Sequence, residues 1–147
     1  MNSEQLCIAI EKAPSPEARA ALQALESQFS EVVVFESSFK QRIEASKIAR
    51  GEVPTKLRKA KRAEVASYEQ DAIEMERALT ESFRSLSSAK IIRLLCSGLS
   101  SDLKFWKSAL GHFDPAELPI GQEKVVLTEK LLKVMNAYLM KFGGNET

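Results

Sequence analysis

Ile92-Arg93-Leu94-Leu95-Cys96-Ser97-Gly98-Leu99-Ser100-Ser101-Asp102-Leu103-Lys104-Phe105-Trp106 is the stretch on which the fold turns. Ser97-Gly98 and Ser100-Ser101 have the composition of a loop. Yet Ile92, Leu95, Leu99, Leu103, Trp106, Leu110 and Phe113 recur every three or four residues straight through them. A loop resets helical phase, whereas a continuous helix keeps it and at most bends at the glycine. Toward the N-terminus the same periodicity holds for Val65, Tyr68, Ala72, Met75, Leu79, Phe83 and Leu86. The spacing therefore predicts one helix over residues 56–112, about 57 residues long.

The flanking segments read as helix too. Ser15-Pro16-Glu17 has the form of a helix start, with a capping hydroxyl, a proline suited to the first turn and an acid at the positive end of the helix dipole. From there positions 22, 25, 29, 32, 36, 39, 43 and 46 form a seam with six apolar residues of eight, and Val32-Val33-Val34-Phe35 widens it. Gly51 ends this helix of about 34 residues and Pro54 follows, with Thr55 a cap for the next. Asp114–Glu117 opens a helical turn that Pro119 and Gly121 cut short. A last helix of about 21 residues then runs from Gln122 to Phe142 and stops at Gly143-Gly144. Residues 1–14 are an arm or a short docking helix, and residues 144–147 are a tail. The fold class is all-α, with a single domain over 15–143.

Length turns this into a prediction of shape. A helix of 57 residues is about 85 Å long, whereas a compact chain of this size is only about 40 Å across. The expected architecture is an elongated helical hairpin or coiled-coil bundle that completes its core by homodimerisation. Its self-association seam is Leu22, Leu25, Phe29, Val32, Phe39, Leu95, Leu99, Leu103, Trp106 and Leu110. The alternative is a compact bundle broken near Gly98.

Composition excludes several classes of function. The chain has 147 residues, 44% hydrophobic and 28% charged, with 6 glycines and 5 prolines, which is enough apolar material for a core. Its apolar runs are too short to span a bilayer, and Met1-Asn2-Ser3-Glu4 lacks the basic start of a signal peptide, so a cytoplasmic protein is expected. Asn2 stands where myristoylation needs glycine, and the sequon at Asn145 has no secretory context. Cys7 and Cys96 lie far apart and read as small buried or half-buried residues rather than as a disulfide framework or zinc site. No phosphate loop, metal spacing or nucleophile elbow is present, so no cofactor and no metal are expected. Glu74 and Glu76 sit on different sides of a helix and are badly placed to share an ion. The remaining enzymatic reading is a small helical bundle, or a ligand binder, around His112 and Trp106.

Net charge is only +1, but the distribution is uneven. Residues 40–62 carry nine cations against two acids, a net of +7, and residues 64–81 carry six acids against Arg77, a net of −5. The basic block straddles the turn at Gly51–Pro54. Lys47, Arg50, Lys56, Arg58, Lys59, Lys61 and Arg62 are thus candidates for contact with an anionic surface. Nucleic acid is disfavoured because no aromatic residue is interleaved with the cations for base stacking.

Leu86–Leu95 followed by Leu103-Lys104-Phe105-Trp106-Lys107-Ser108-Ala109-Leu110 resembles the final long helix of BAR-domain proteins, including the sorting-nexin branch. Lys59-Ala60-Lys61-Arg62 and Ser67-Tyr68-Glu69 are similar to the segment after a BAR tip. The resemblance covers residues 56–113 and implies a tip at Gly51–Pro54, a homodimer and peripheral membrane binding. The chain departs from the family in lacking a long first helix and in carrying an extra helix over 122–142. The function expected from the sequence is a non-enzymatic scaffold that self-associates and presents a basic tip. The alternative is a helical protein–protein adaptor, chaperone or complex subunit without membrane binding.

Overall fold

The computed structural model describes residues 1–51 and 59–144, with side chains outside 52–66. The described residues include six α-helices and two 3-10 turns, and none of these residues is in a strand. The helices are α1 (Ser3–Glu11), α2 (Pro16–Ala24), α3 (Glu26–Ala49), α4 (Lys59–Ser82), α5 (Ser88–Ala109) and α6 (Leu118–Phe142). The 3-10 turns are Phe83–Ser85 and Leu110–His112.

The all-α class is as expected, but the very long central helix is replaced by two. Residues 56–112 do not form one rod, because α4 stops at Ser82, and after the first 3-10 turn Leu86 is extended. Ser87 then caps α5 by accepting from the Lys90 amide. The break falls in Ser85-Leu86-Ser87-Ser88, whose hydroxyls can replace missing backbone bonds. Gly98, the expected bend, lies inside α5. The longest described helix, α6, has 25 residues and is about 38 Å long.

The first predicted helix also divides. Ser15 caps α2 as expected, accepting from Ala18 N at 3.1 Å, but the chain turns at Leu25 before continuing as α3. Leu25 is fully buried at that corner, between Leu22 and Phe29. No glycine or proline marks the site, so packing rather than local sequence makes the turn. The run Val32–Phe35 is helical, with Val32 and Phe35 buried and Val34 exposed. Gly51 follows the end of α3 at φ +80, as its predicted role at a helix terminus requires. The predicted cap Thr55 and Pro54 lie outside the described residues.

Residues 3–11 are a docked helix. Asn2 and Gln5 form a capping box at its start, and Leu6, Ile8 and Ala9 enter the core. Helix α6 begins four residues earlier than predicted, because Pro119 falls in its first turn, where it fits. Gly121 does not break α6. A Cβ there would lie 2.7 Å from Phe113 Cε2 and 2.8 Å from Leu110 Cδ2, so glycine lets the second 3-10 turn lie against the helix.

The core is built from α1, α2, the first half of α3, Phe83, α5 and α6. Helices α5 and α6 run antiparallel, as Ser88 with Tyr138 (3.2 Å) and Lys107 with Glu129 (2.9 Å) show. Helix α3 is antiparallel to α6 as well, fastened by Arg42 to Glu123 at 2.7 Å and Arg50 to Glu117. Helix α4 differs from all of these. From Ser67 to Leu79 every residue is exposed except Glu76, which is half-buried. Its C-terminal end is held where Gln5 Nε2 donates to Thr80 Oγ1 at 3.1 Å and Asn2 Nδ2 donates to Glu76 at 3.1 Å.

Candidate functional site

The cations singled out in the sequence divide into three groups. Lys47 lies exposed near the end of α3. Arg50 is committed inside the chain, since its guanidinium pairs with Glu117, whose side chain is 4% exposed, and reaches Asp114 at 3.4 Å. Arg50 thus clamps the end of α3 to the start of α6. Lys59, Lys61 and Arg62 belong to the first turns of α4, and their side chains lie outside the described residues, as do Lys56 and Arg58 altogether. Helix α4 runs antiparallel to α3: Val33, Glu36 and Ser37 line one cleft with Ala72, Ile73 and Glu76, and farther along α3 Lys40 Nζ lies 3.6 Å from Glu69 Oε1. The end of α3 and the start of α4 therefore belong to the same end of this pair.

The predicted self-association seam is occupied by the chain itself. Leu22, Leu25, Phe29, Val32, Leu95 and Leu99 are all at or below 6% exposure in the core. Leu103, Trp106, Phe39 and Leu110 are half-buried at its edge. A second chain does not reach the buried six without opening the bundle. The stripes read as an interface between chains are the interface between α2, α3, α5 and α6 within one chain.

A polar centre that the sequence reading missed lies where α3, α5 and α6 meet. Lys124 is 3% exposed, with Nζ 2.7 Å from Glu36 Oε1 and 3.3 Å from Asp102 Oδ2. It also lies 5.9 Å above the Phe35 ring. Phe39 meets Trp106 edge-on at 4.8 Å, and Trp106 stacks on Phe113 at 5.8 Å. A cleft of about 230 Å³ lies among Phe35, Glu36, Phe39, Asp102, Trp106 and Lys124. The lysine already meets two acids and an aromatic face, so this centre fastens three helices without needing a ligand. The clue in the sequence was Lys124 itself, a cation on a helix that is apolar on most sides.

His112 is exposed at the end of the second 3-10 turn, and the nearby Asp114 is engaged by Arg50. Cys7 is exposed, contrary to the reading of both cysteines as buried or half-buried, because α1 buries its opposite face. Cys96 is buried, and burial pushes its thiol up to about 11. Among the described residues no cluster of three His, Cys, Asp or Glu side chains suits a metal ion, and no helix is long and apolar enough to cross a membrane. No protein-family model matches the chain, and no curated protein or solved structure is significantly similar to it.

Proposed function

We propose that the chain is a non-enzymatic helical interaction protein whose basic end engages an anionic membrane surface from the cytoplasmic side, in the manner the BAR resemblance implies. One observation carries the reading: the end of α3 and the start of α4 share one end of an antiparallel pair. Lys47, Lys56, Arg58, Lys59, Lys61 and Arg62 thus fall within one short stretch around the connection, with Glu52 the one acid among residues 47–62. Arg50, drawn into the clamp with Glu117, leaves this set. Each cation close to an anionic bilayer contributes about 1 kcal/mol, so a cluster of this size suffices for peripheral binding.

Co-sedimentation with vesicles tests the reading. The chain is expected to pellet with phosphatidylserine-containing vesicles and not with neutral phosphatidylcholine. Changing Arg58, Lys59, Lys61 and Arg62 together to Glu is expected to weaken binding by at least about a hundredfold, four cations at about 1 kcal/mol each. Equal binding by the two proteins, or none by the unmodified chain, rejects membrane engagement and leaves the adaptor reading.

A further inference from the structure

We infer that α4 is a pairing surface for a second copy of this chain, and that the two α4 helices lie antiparallel. Tyr68, Ala72, Met75 and Leu79 fall at spacings of four, three and four, so they share one face of α4. That face is uncovered: Tyr68 is 67% exposed, Met75 73% and Leu79 45%. Leu94 of α5, 49% exposed, lies across a cleft of about 390 Å³ from Leu79 and extends the apolar surface. More than three turns of helix therefore stand over no core of their own. A helix of that length is marginal in water unless an apolar face is buried. Covering Tyr68, Met75 and Leu79 on both copies removes apolar surface from water, which drives the pairing.

Charge selects the occupant and its direction. The start of α4 carries Lys59, Lys61 and Arg62 against Glu64, while residues 67–82 carry five acids against Arg77. A helix so polarised is complementary to a reversed copy of itself. Parallel copies set every acid beside its own equivalent, whereas the antiparallel overlap confines acid against acid to Glu69 with Asp71 and Glu64 with Glu76, and brings the start of each helix beside the partner's Glu81. The same overlap sets Tyr68 opposite the partner's Ala72, a large side chain against a small one. The pairing replaces the buried seam as the route to a dimer, and it stands independently of membrane binding. A chain that pairs without pelleting with vesicles, or pellets without pairing, separates the two readings.

The test is mass in solution, followed by spin-label distances. At tens of micromolar the chain is expected at twice its 16.3 kDa, and the double variant Tyr68→Glu/Met75→Glu at the single mass. Trp106 fluorescence should be unchanged in that variant, because neither substituted residue lies in the core. In a Cys7→Ser background, a nitroxide on Ala72→Cys should report a separation near 10 Å. On Leu79→Cys it should report about 30 Å, because antiparallel overlap sets the two Leu79 positions some 18 residues apart along the helices. A chain that stays monomeric at 100 µM, a dimer that survives the double substitution, or short distances at both labels overturns the inference.

Discussion

Lys124 shows how far one side chain governs this bundle. Its ammonium ties Glu36 of α3 and Asp102 of α5 to α6, so removing it leaves two carboxylates facing each other across the helix junction. Lys124→Met is expected to lower unfolding free energy in urea by about 1–3 kcal/mol. Glu36→Gln should cost less, since Asp102 still neutralises the lysine. The two cysteines separate in a similar way. At pH 8 iodoacetamide should alkylate Cys7 at least tenfold faster than Cys96, because burial holds the Cys96 thiol at about 11 against its usual 9.0. The raised value also fixes a sign. Above pH 9 the unfolded chain ionises this thiol and the folded chain does not, so up to about 2 kcal/mol of stability is lost between pH 9 and 11. Urea midpoints across that range, compared with those of Cys96→Ala, measure it.

Helix type and a few helix ends were legible in the residues, and the breaks were not. Ser15-Pro16 and Gly51 announced their positions because each satisfies a local backbone need. The turn at Leu25 has no such mark, since a buried leucine looks the same on a straight helix and at a corner. The break at residues 83–87 carries a mark, a serine cluster with a capping hydroxyl at Ser87, but joining the stripes Val65–Leu86 and Ile92–Phe113 into one helix passes over it. The apolar spacing does not reveal the break because Phe83 and Leu86 still face the core from a 3-10 turn and an extended residue. Gly121 makes the converse point, being a glycine inside a helix that signals a close approach rather than a stop. Gly121→Ala must displace Phe113 and Leu110, and is expected to cost about 1–3 kcal/mol by thermal unfolding and to shift Trp106 emission.

On the scale of the whole molecule, the apolar stripes of α2, α3 and α5 identified residues that the fold covers but not against what, whereas the stripe of α4 marked residues that stay exposed. A seam of leucines records that something covers it, and only the three-dimensional path decides whether that is the same chain or another. Here α2, α3, α5 and α6 cover one another, while α4 is left with its apolar face in water. The cation candidates were legible as a cluster, but Arg50's role as a clamp was not, because Glu117 lies 67 residues away. Hydrogen exchange resolves the contrast. In dilute protein, amides of residues 67–79 should exchange by local opening, orders of magnitude faster than those of residues 131–138, which open only with the whole bundle.

The clasp between Gln5 and Thr80 sets a clock on the making of this protein. Helix α1 finds its seat against Phe83 and α5 only after residues far along the chain exist. At ribosomal speeds of about 5–20 residues per second, Leu6 and Ile8 wait roughly 5–20 s between emerging and meeting Leu95 and Leu99. During that interval the first helix has only α2 and α3 to lean on, and the face that later meets α5 stays uncovered. Its capping box satisfies the first amides of the helix, and Glu4 and Glu11 give it a polar face.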